Sequence, residues 1–383
     1  KRDYLIIFED IIPQVLKAYD PCENTFYWPS SPSSGGGFKD ASSNHAGDMH
    51  YWDVWHNFKP IEAFREFYYR FCSEYGFESL PDIKTCRAFA DETKGDFDLC
   101  SPVMAAHQKC VQGNEKIMYY LAQMVRYPYD FKQLIYSSQL VQADCIRSNV
   151  EHMRRARGRC MGSAYWQVND SNPVISWSSI DYFGRWKGLH YYAKRFYAPC
   201  LISCDDTHRK KPVLNISNER MTAFEGIVRW KLRNNKAEIL QSGEKSVSVP
   251  ALTAQNVLTI DLSDELKNRT DPREKYLEYS IMENGKELSF GTTLFVRPKE
   301  FTFLEPAITY GISESEDKFA LTFCAENYAK SVCLSLKTAD CVFSDNWFDI
   351  HGKEPVTIMI DKASLSRKMT AQELSEELEI MHN

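Results

Sequence analysis

Apolar side chains at Tyr4, Phe8, Ile11, Ile12, Val15 and Tyr19 recur at helical spacing, so residues 4–19 predict an amphipathic helix with a kink at Pro13. Aromatic loop chemistry follows. Thr25-Phe26-Tyr27-Trp28-Pro29-Ser30-Ser31-Pro32-Ser33-Ser34 runs into three glycines, and Asp48-Met49-His50-Tyr51-Trp52-Asp53-Val54-Trp55 comes soon after. Pro60 opens a helical pattern through Ile61, Phe64 and Phe67, which leads into the short apolar run at Arg70-Phe71-Cys72. Helices are predicted at about 114–125 and 130–154, an apolar strand over 160–166, and a last helix from Trp186-Lys187 to Phe196. Strand and helix alternating in this way imply a parallel sheet built from βα repeats.

From Leu201 the period changes to two. Short strands are predicted at 226–232 and 257–260, and two more, 276–282 and 289–296, flank the hairpin dipeptide Asn284-Gly285. Pro298-Lys299 marks a further boundary. Strands at 320–323, 332–336 and 356–360 follow, and an acidic helix over 371–381 closes the chain. The expected architecture is α/β plus all-β: an α/β unit over 1–199 and two small β-sandwiches over 200–297 and 298–383.

Composition narrows the class. The chain has 383 residues, 43% hydrophobic and 26% charged, with a net charge of −6, which is ordinary globular usage and excludes a largely disordered chain. No basic excess marks a nucleic-acid surface, and no apolar run reaches the roughly 18 residues of a membrane span, so neither partner is expected. Twelve cysteines without a CxxC pair read as free thiols in a reducing compartment, hence a cytoplasmic placement. The nine histidines are scattered, with no HxxxH or HExxH, so no metal site is expected. Lys1-Arg2-Asp3-Tyr4 is neither an initiator Met nor a signal peptide, and a helix without lead-in follows at once. The chain therefore reads as a fragment of a longer protein.

In a parallel βα architecture, chemistry gathers at the carboxyl ends of strands. Two segments place suitable groups there, Phe71-Cys72-Ser73-Glu74-Tyr75-Gly76 and Tyr165-Trp166-Gln167-Val168-Asn169-Asp170. A carboxylate among aromatic faces suits a sugar: the rings stack on the pyranose, and the carboxylate attacks or stabilises an oxocarbenium-like centre. From pattern alone, Glu74 reads more readily as a surface or ion-paired carboxylate and Trp166 as a core aromatic.

Those blocks, together with Ser176-Trp177-Ser178-Ser179-Ile180-Asp181-Tyr182-Phe183-Gly184-Arg185-Trp186-Lys187, resemble the β-mannosidases of glycoside hydrolase family 2. Ser217-Asn218-Glu219-Arg220 and Phe343-Ser344-Asp345-Asn346-Trp347-Phe348-Asp349 are similar to that family's C-terminal sandwich domains. The resemblance covers nearly the whole chain in order. It implies the C-terminal half of a (β/α)₈ TIM barrel, with strand five near Thr25–Trp28, strand six at His50–Trp55, strand seven at Arg70–Glu74 and strand eight at Cys160–Gln167, followed by two Ig-like β-sandwich domains. It further implies a retaining exo-glycosidase acting on terminal β-D-mannose, without a cofactor, and Glu74 matches the nucleophile.

The family's acid/base glutamate lies in a Gly-Asn-Asn-Glu setting at the end of strand four, and no such motif occurs from Lys1 onward. Gly113-Asn114-Glu115 follows Glu74 rather than preceding it, so Glu115 reads as a helix-start carboxylate. The acid/base is therefore expected upstream, the chain alone is expected to be inactive, and the missing N-terminal half is an expected partner. Trp166, Tyr51, Trp52 and His50 are the expected sugar-contacting residues, with Tyr51 or His50 bonded to Glu74. His107 lines the pocket or pins a loop. Asn172 stands near the place where the family carries an outer Trp, which bears on the aglycone side. The competing readings are a family member acting on a galactoside or glucuronide, and a carbohydrate-binding remnant without turnover.

Overall fold

Residues 1–22 and 24–383 are described in the structure, a computed structural model. The chain divides into two units, one formed by Lys1–Gly76 with Ser148–Trp166, the other by Phe77–Arg147 with Gln167–Asn383.

The first unit opens with the expected helix, α-helical over Arg2–Leu5 and Ile12–Tyr19, with a wider π turn at Ile6–Ile11 between them. Pro13 donates no N–H and its ring crowds the carbonyl four residues back, and the widened turn lies directly ahead of it. Ile6, Ile7, Ile11, Val15 and Tyr19 along this helix are exposed. Two strands follow, β1 (Met49–His50) and β2 (Cys72–Glu74), which pair in parallel with Met49 opposite Cys72 and His50 opposite Glu74. A third line adds only isolated parallel bridges, Cys72 to Ser163 and Gly76 to Trp166. Residues 25–28 form no strand, because Pro29 and Pro32 remove ladder donors immediately beyond. The unit thus holds a short parallel pair with a bridging third line. Its core is aromatic: Tyr51 packs on Phe64, Phe67 and Tyr69 with ring centroids 5.4, 5.1 and 5.7 Å away.

The second unit carries the helices Gly113–Met124 and Gly188–Phe196, the latter starting after Trp186-Lys187 rather than within it. Two sandwiches follow. In the first, β3 (Cys200–Asp205), β4 (Val213–Asn218) and β7 (Thr253–Thr259) form one sheet. The other contains β5 (Phe224–Asn234), β6 (Ile239–Val249), β8 (Lys275–Glu283) and β9 (Lys286–Leu294), in the order β6-β5-β8-β9. Both sheets bury alternate residues in one core, including Ile202, Leu214, Ile216, Val228, Leu232, Leu277 and Ile281. Asn284 and Gly285 both adopt positive φ, the conformation a two-residue hairpin turn requires.

The second sandwich sets β10 (Thr309–Glu314), β11 (Lys318–Cys324) and β14 (Val356–Asp361) against β12 (Tyr328–Leu336), β13 (Phe348–His351) and β15 (Leu378–Met381). Phe323 and Phe348, one from each sheet, meet across the core at 5.6 Å. The closing helix is shorter than its apolar period suggests. It spans Ala371–Glu377, started by a capping box between Thr370 and Glu373, and the chain then becomes β15, paired antiparallel to β12.

Candidate active site

The parallel register of the first unit sets the geometry. The register shifts between Met49 and His50, so that one step along β1 matches two along β2; past this irregularity His50 stands opposite Glu74, and its Nδ1 lies 3.2 Å from Glu74 Oε2. Trp52, two residues further along, donates its indole N–H to the same oxygen at 3.0 Å. The backbone holds the register from both sides: Tyr51 N–H donates to the Glu74 carbonyl, and Trp166 N–H to that of Tyr75. Glu74 Oε2 therefore carries two partners, whereas Oε1 takes none among the described residues. The carboxylate is about a quarter exposed.

A second carboxylate anchors this arrangement from behind. Asp48 is 8% exposed and accepts four hydrogen bonds: Trp28 Nε1–H and the Ser33 N–H reach Oδ1, both at 2.9 Å, and the Ser31 and Ser73 hydroxyls reach Oδ2. Burial pushes the Asp48 carboxyl up, but the bonds from Ser31, Ser73, Trp28 and the Ser33 amide outweigh it and hold the group below the usual carboxylate range. Ser31 Oγ is also 3.0 Å from His50 Nε2. Gly47 makes the approach possible. It sits at φ +67°, and a Cβ there would run into the Ser33 carbonyl oxygen, which accepts the Asp48 N–H.

The sequence-derived candidates divide accordingly. His50, Trp52 and Glu74 come together. Trp166 lies on the adjoining line of the same unit with its ring 44% exposed, available as a stacking surface. Tyr51 does not belong to the contact surface. Just past the end of β1 it turns into the aromatic core, where it is 3% exposed among the rings of Phe64, Phe67 and Tyr69. Its hydroxyl has no hydrogen-bond partner among the described residues.

In the second unit, His107 pins a loop: its ring stacks on Phe89 at 3.8 Å and its Nδ1 is 2.6 Å from the Pro173 carbonyl oxygen. Glu115 sits in the first turn of the Gly113–Met124 helix. The residues that sequence reasoning missed are Asp48, Ser31, Ser73 and Trp28. The one local signal was Asp48, a carboxylate two positions before His50. Among the described residues no group of three or more His, Cys, Asp or Glu could hold a metal ion.

Chemically, the site offers one carboxylate with a tethered oxygen and an open one, flanked by indole and imidazole and with an exposed aromatic ring on the adjoining line. Such an arrangement suits nucleophilic attack on an electrophilic carbon of a ring-shaped, partly apolar substrate.

Residues 211–300 match the Mannosidase Ig/CBM-like domain and residues 303–383 an Ig-fold domain of the mannosidases, so both sandwiches are Ig-like. Beta-mannosidase B of Aspergillus terreus is 28% identical over 374 residues, covering 92% of this chain and 43% of that protein. Beta-mannosidase B of Aspergillus clavatus is 33% identical over 223 residues, covering 57% of this chain and 26% of that protein. Among solved structures, the β-D-mannosidase of Dictyoglomus thermophilum superposes with a TM-score of 0.87 at 25% identity, over 98% of this chain and 44% of that one. An exo-chitosanase of Amycolatopsis orientalis shares the fold at a TM-score of 0.60 and 16% identity, over 80% of this chain and 40% of that one. The chain resembles the C-terminal part of a family-2 β-mannosidase and spans less than half the length of these relatives.

Proposed function

We propose that this chain carries the nucleophile-bearing part of a retaining exo-β-mannosidase, with Glu74 forming the covalent intermediate. The observation that supports this most directly is the state of Glu74: Oε2 is held by Trp52 and His50 while Oε1 remains open. Oε1 attacks the anomeric carbon as the bond to the leaving oxygen breaks, and that oxygen takes a proton from a general acid. The mannosyl ester is then cleaved by a water that gives its proton back to the same group. In this reading Glu74 lies at the end of strand seven of a (β/α)₈ barrel whose second half is residues 1–199. The general acid comes from a carboxyl group outside Lys1–Asn383, and Lys1–Asn383 alone is inactive toward an unactivated β-mannoside. The names of the relatives favour mannose over galactose or glucuronic acid.

The test uses the full-length protein that carries this chain and a mannosyl fluoride with fluorine in place of the neighbouring hydroxyl. Fluoride leaves without protonation, and the electron-poor sugar slows the second step, so the ester accumulates. The expected result is a mass increment on the peptide containing Glu74. An adduct on another residue, or hydrolysis with inverted configuration, would overturn the proposal.

A further inference from the structure

The hydrogens in the Asp48–Ser31–His50–Glu74 series can be counted. Asp48 is ionised and can only accept, and each serine hydroxyl has one proton to give. Ser31 Oγ is 2.6 Å from Asp48 Oδ2, a separation that needs a proton between two oxygens, and Ser31 must supply it. The Ser73 hydroxyl is committed to the same Asp48 oxygen, so its 3.2 Å approach to Ser31 adds no second donor in that direction. Ser31 therefore has only lone pairs left for His50 Nε2, 3.0 Å away, and the bond between them requires the proton on Nε2. With Nε2 protonated, the neutral ring would turn a lone pair at Nδ1 toward Glu74 Oε2 at 3.2 Å. Two lone pairs facing each other at this ion-pair distance call for one further proton, on Nδ1 or on the carboxyl.

We infer that Asp48 and Ser31 are positioning residues that fix His50 with its proton on Nε2, so that His50 Nδ1 and Glu74 Oε2 share a single additional proton. This rests on the assignment of Glu74 as nucleophile. While Glu74 is a carboxylate, the shared proton lies toward His50 and holds Oε2 in place, leaving Oε1 as the attacking atom. When Oε1 becomes the ester oxygen, the carboxylate charge is gone and Oε2, now a carbonyl oxygen, remains a weaker acceptor for the same N–H. The relay thus favours one oxygen of Glu74 over the other as nucleophile, which Trp52 alone, donating to Oε2, would do with a single bond.

The experiment is nitrogen-15 NMR of histidine in the full-length protein, with the His50 signals assigned by loss in His50→Gln, alongside kinetics of Ser31→Ala and Asp48→Asn. Wild-type His50 is expected to show a protonated Nε2 in every state observed. Asp48→Asn presents an amide N–H to Ser31, which turns the serine proton toward Nε2 and moves the ring proton to Nδ1. Both variants are expected to lower kcat roughly ten- to hundredfold with KM nearly unchanged. A wild-type His50 carrying its proton on Nδ1 alone would overturn the inference without any variant having to fold. So would an Asp48→Asn protein whose His50 keeps the wild-type pattern. Because the NMR readout needs no substrate, failure to label Glu74 would count against the proposed function and leave the proton arrangement to be judged separately.

Discussion

His50 and Glu74 are partners on adjacent parallel strands just past a shift in register, and an imidazole nitrogen of the one lies 3.2 Å from a carboxylate oxygen of the other. The shift re-aims Ser73 and Glu74 relative to β1, as an extra residue in a strand does, and so lets two neighbouring side chains of β2 serve Asp48 and His50. The rest is supplied by a loop: Ser31, Ser33 and Trp28 converge on Asp48, whose position on the chain is two residues before His50.

Trp52→Phe keeps the ring but removes the N–H that holds Glu74 Oε2. A hydrogen bond to a charged group contributes about 1.5–3 kcal/mol, so kcat should fall roughly tenfold or more with KM little changed. Steady-state kinetics on an aryl β-mannoside check this. A rise in KM with kcat intact would place Trp52 against the sugar instead.

Tyr51→Phe should leave activity within about twofold and stabilise the fold by up to roughly 1 kcal/mol, because it removes a buried hydroxyl that has no partner among the described residues. Burial, with Asp53 and Glu66 nearby, already holds that phenol well above its ordinary titration range. Thermal melting of the two proteins decides the point, and a loss of stability would mean that the hydroxyl is satisfied.

Trp166→Ala should raise KM for a β-mannoside about tenfold and leave the melting temperature nearly unchanged, since the ring is 44% exposed and its loss opens little core. A large drop in stability with KM unaltered would assign the ring to packing.

Stability should fall between pH 5 and 8 through Glu78. Its side chain is fully buried, its Oε2 accepts only from Gln108 Nε2 at 2.9 Å, and its Oε1 has no partner among the described residues. Burial pushes this carboxyl up to about 8, against an ordinary value of 4.5. A folded-state value above the unfolded one means that the native state holds the extra proton, so its contribution is full below pH 4.5 and lost as pH rises toward 8. Lys187, pushed down to about 8 by burial, keeps its proton over most of that window in both states and does not cancel the slope. Urea midpoints measured from pH 5 to 8 should decline in the wild type and flatten in Glu78→Gln. An equal slope in both proteins would assign the dependence elsewhere.

The legible parts of this protein are those written in short-range patterns. The helical period of residues 4–19, the two-residue alternation after Leu201 and the Asn284-Gly285 turn each depend on neighbours within a few positions, and each produced the expected element. Glu74 was legible as a carboxylate ending an apolar run. Where a local pattern misled, a longer-range partner had prevailed: Leu378–Met381 continues a helical period but completes the sheet beside β12.

The site's wiring was not legible. Asp48 reaches Ser31 across 17 positions and Ser73 across 25, and no spacing rule connects them. Nor does the run His50-Tyr51-Trp52 say which of its side chains meets the aromatic core. Burial decides that, and burial depends on what the rest of the chain packs there. Here Phe64, Phe67 and Tyr69 claimed Tyr51, which left His50 and Trp52 to hold the carboxylate.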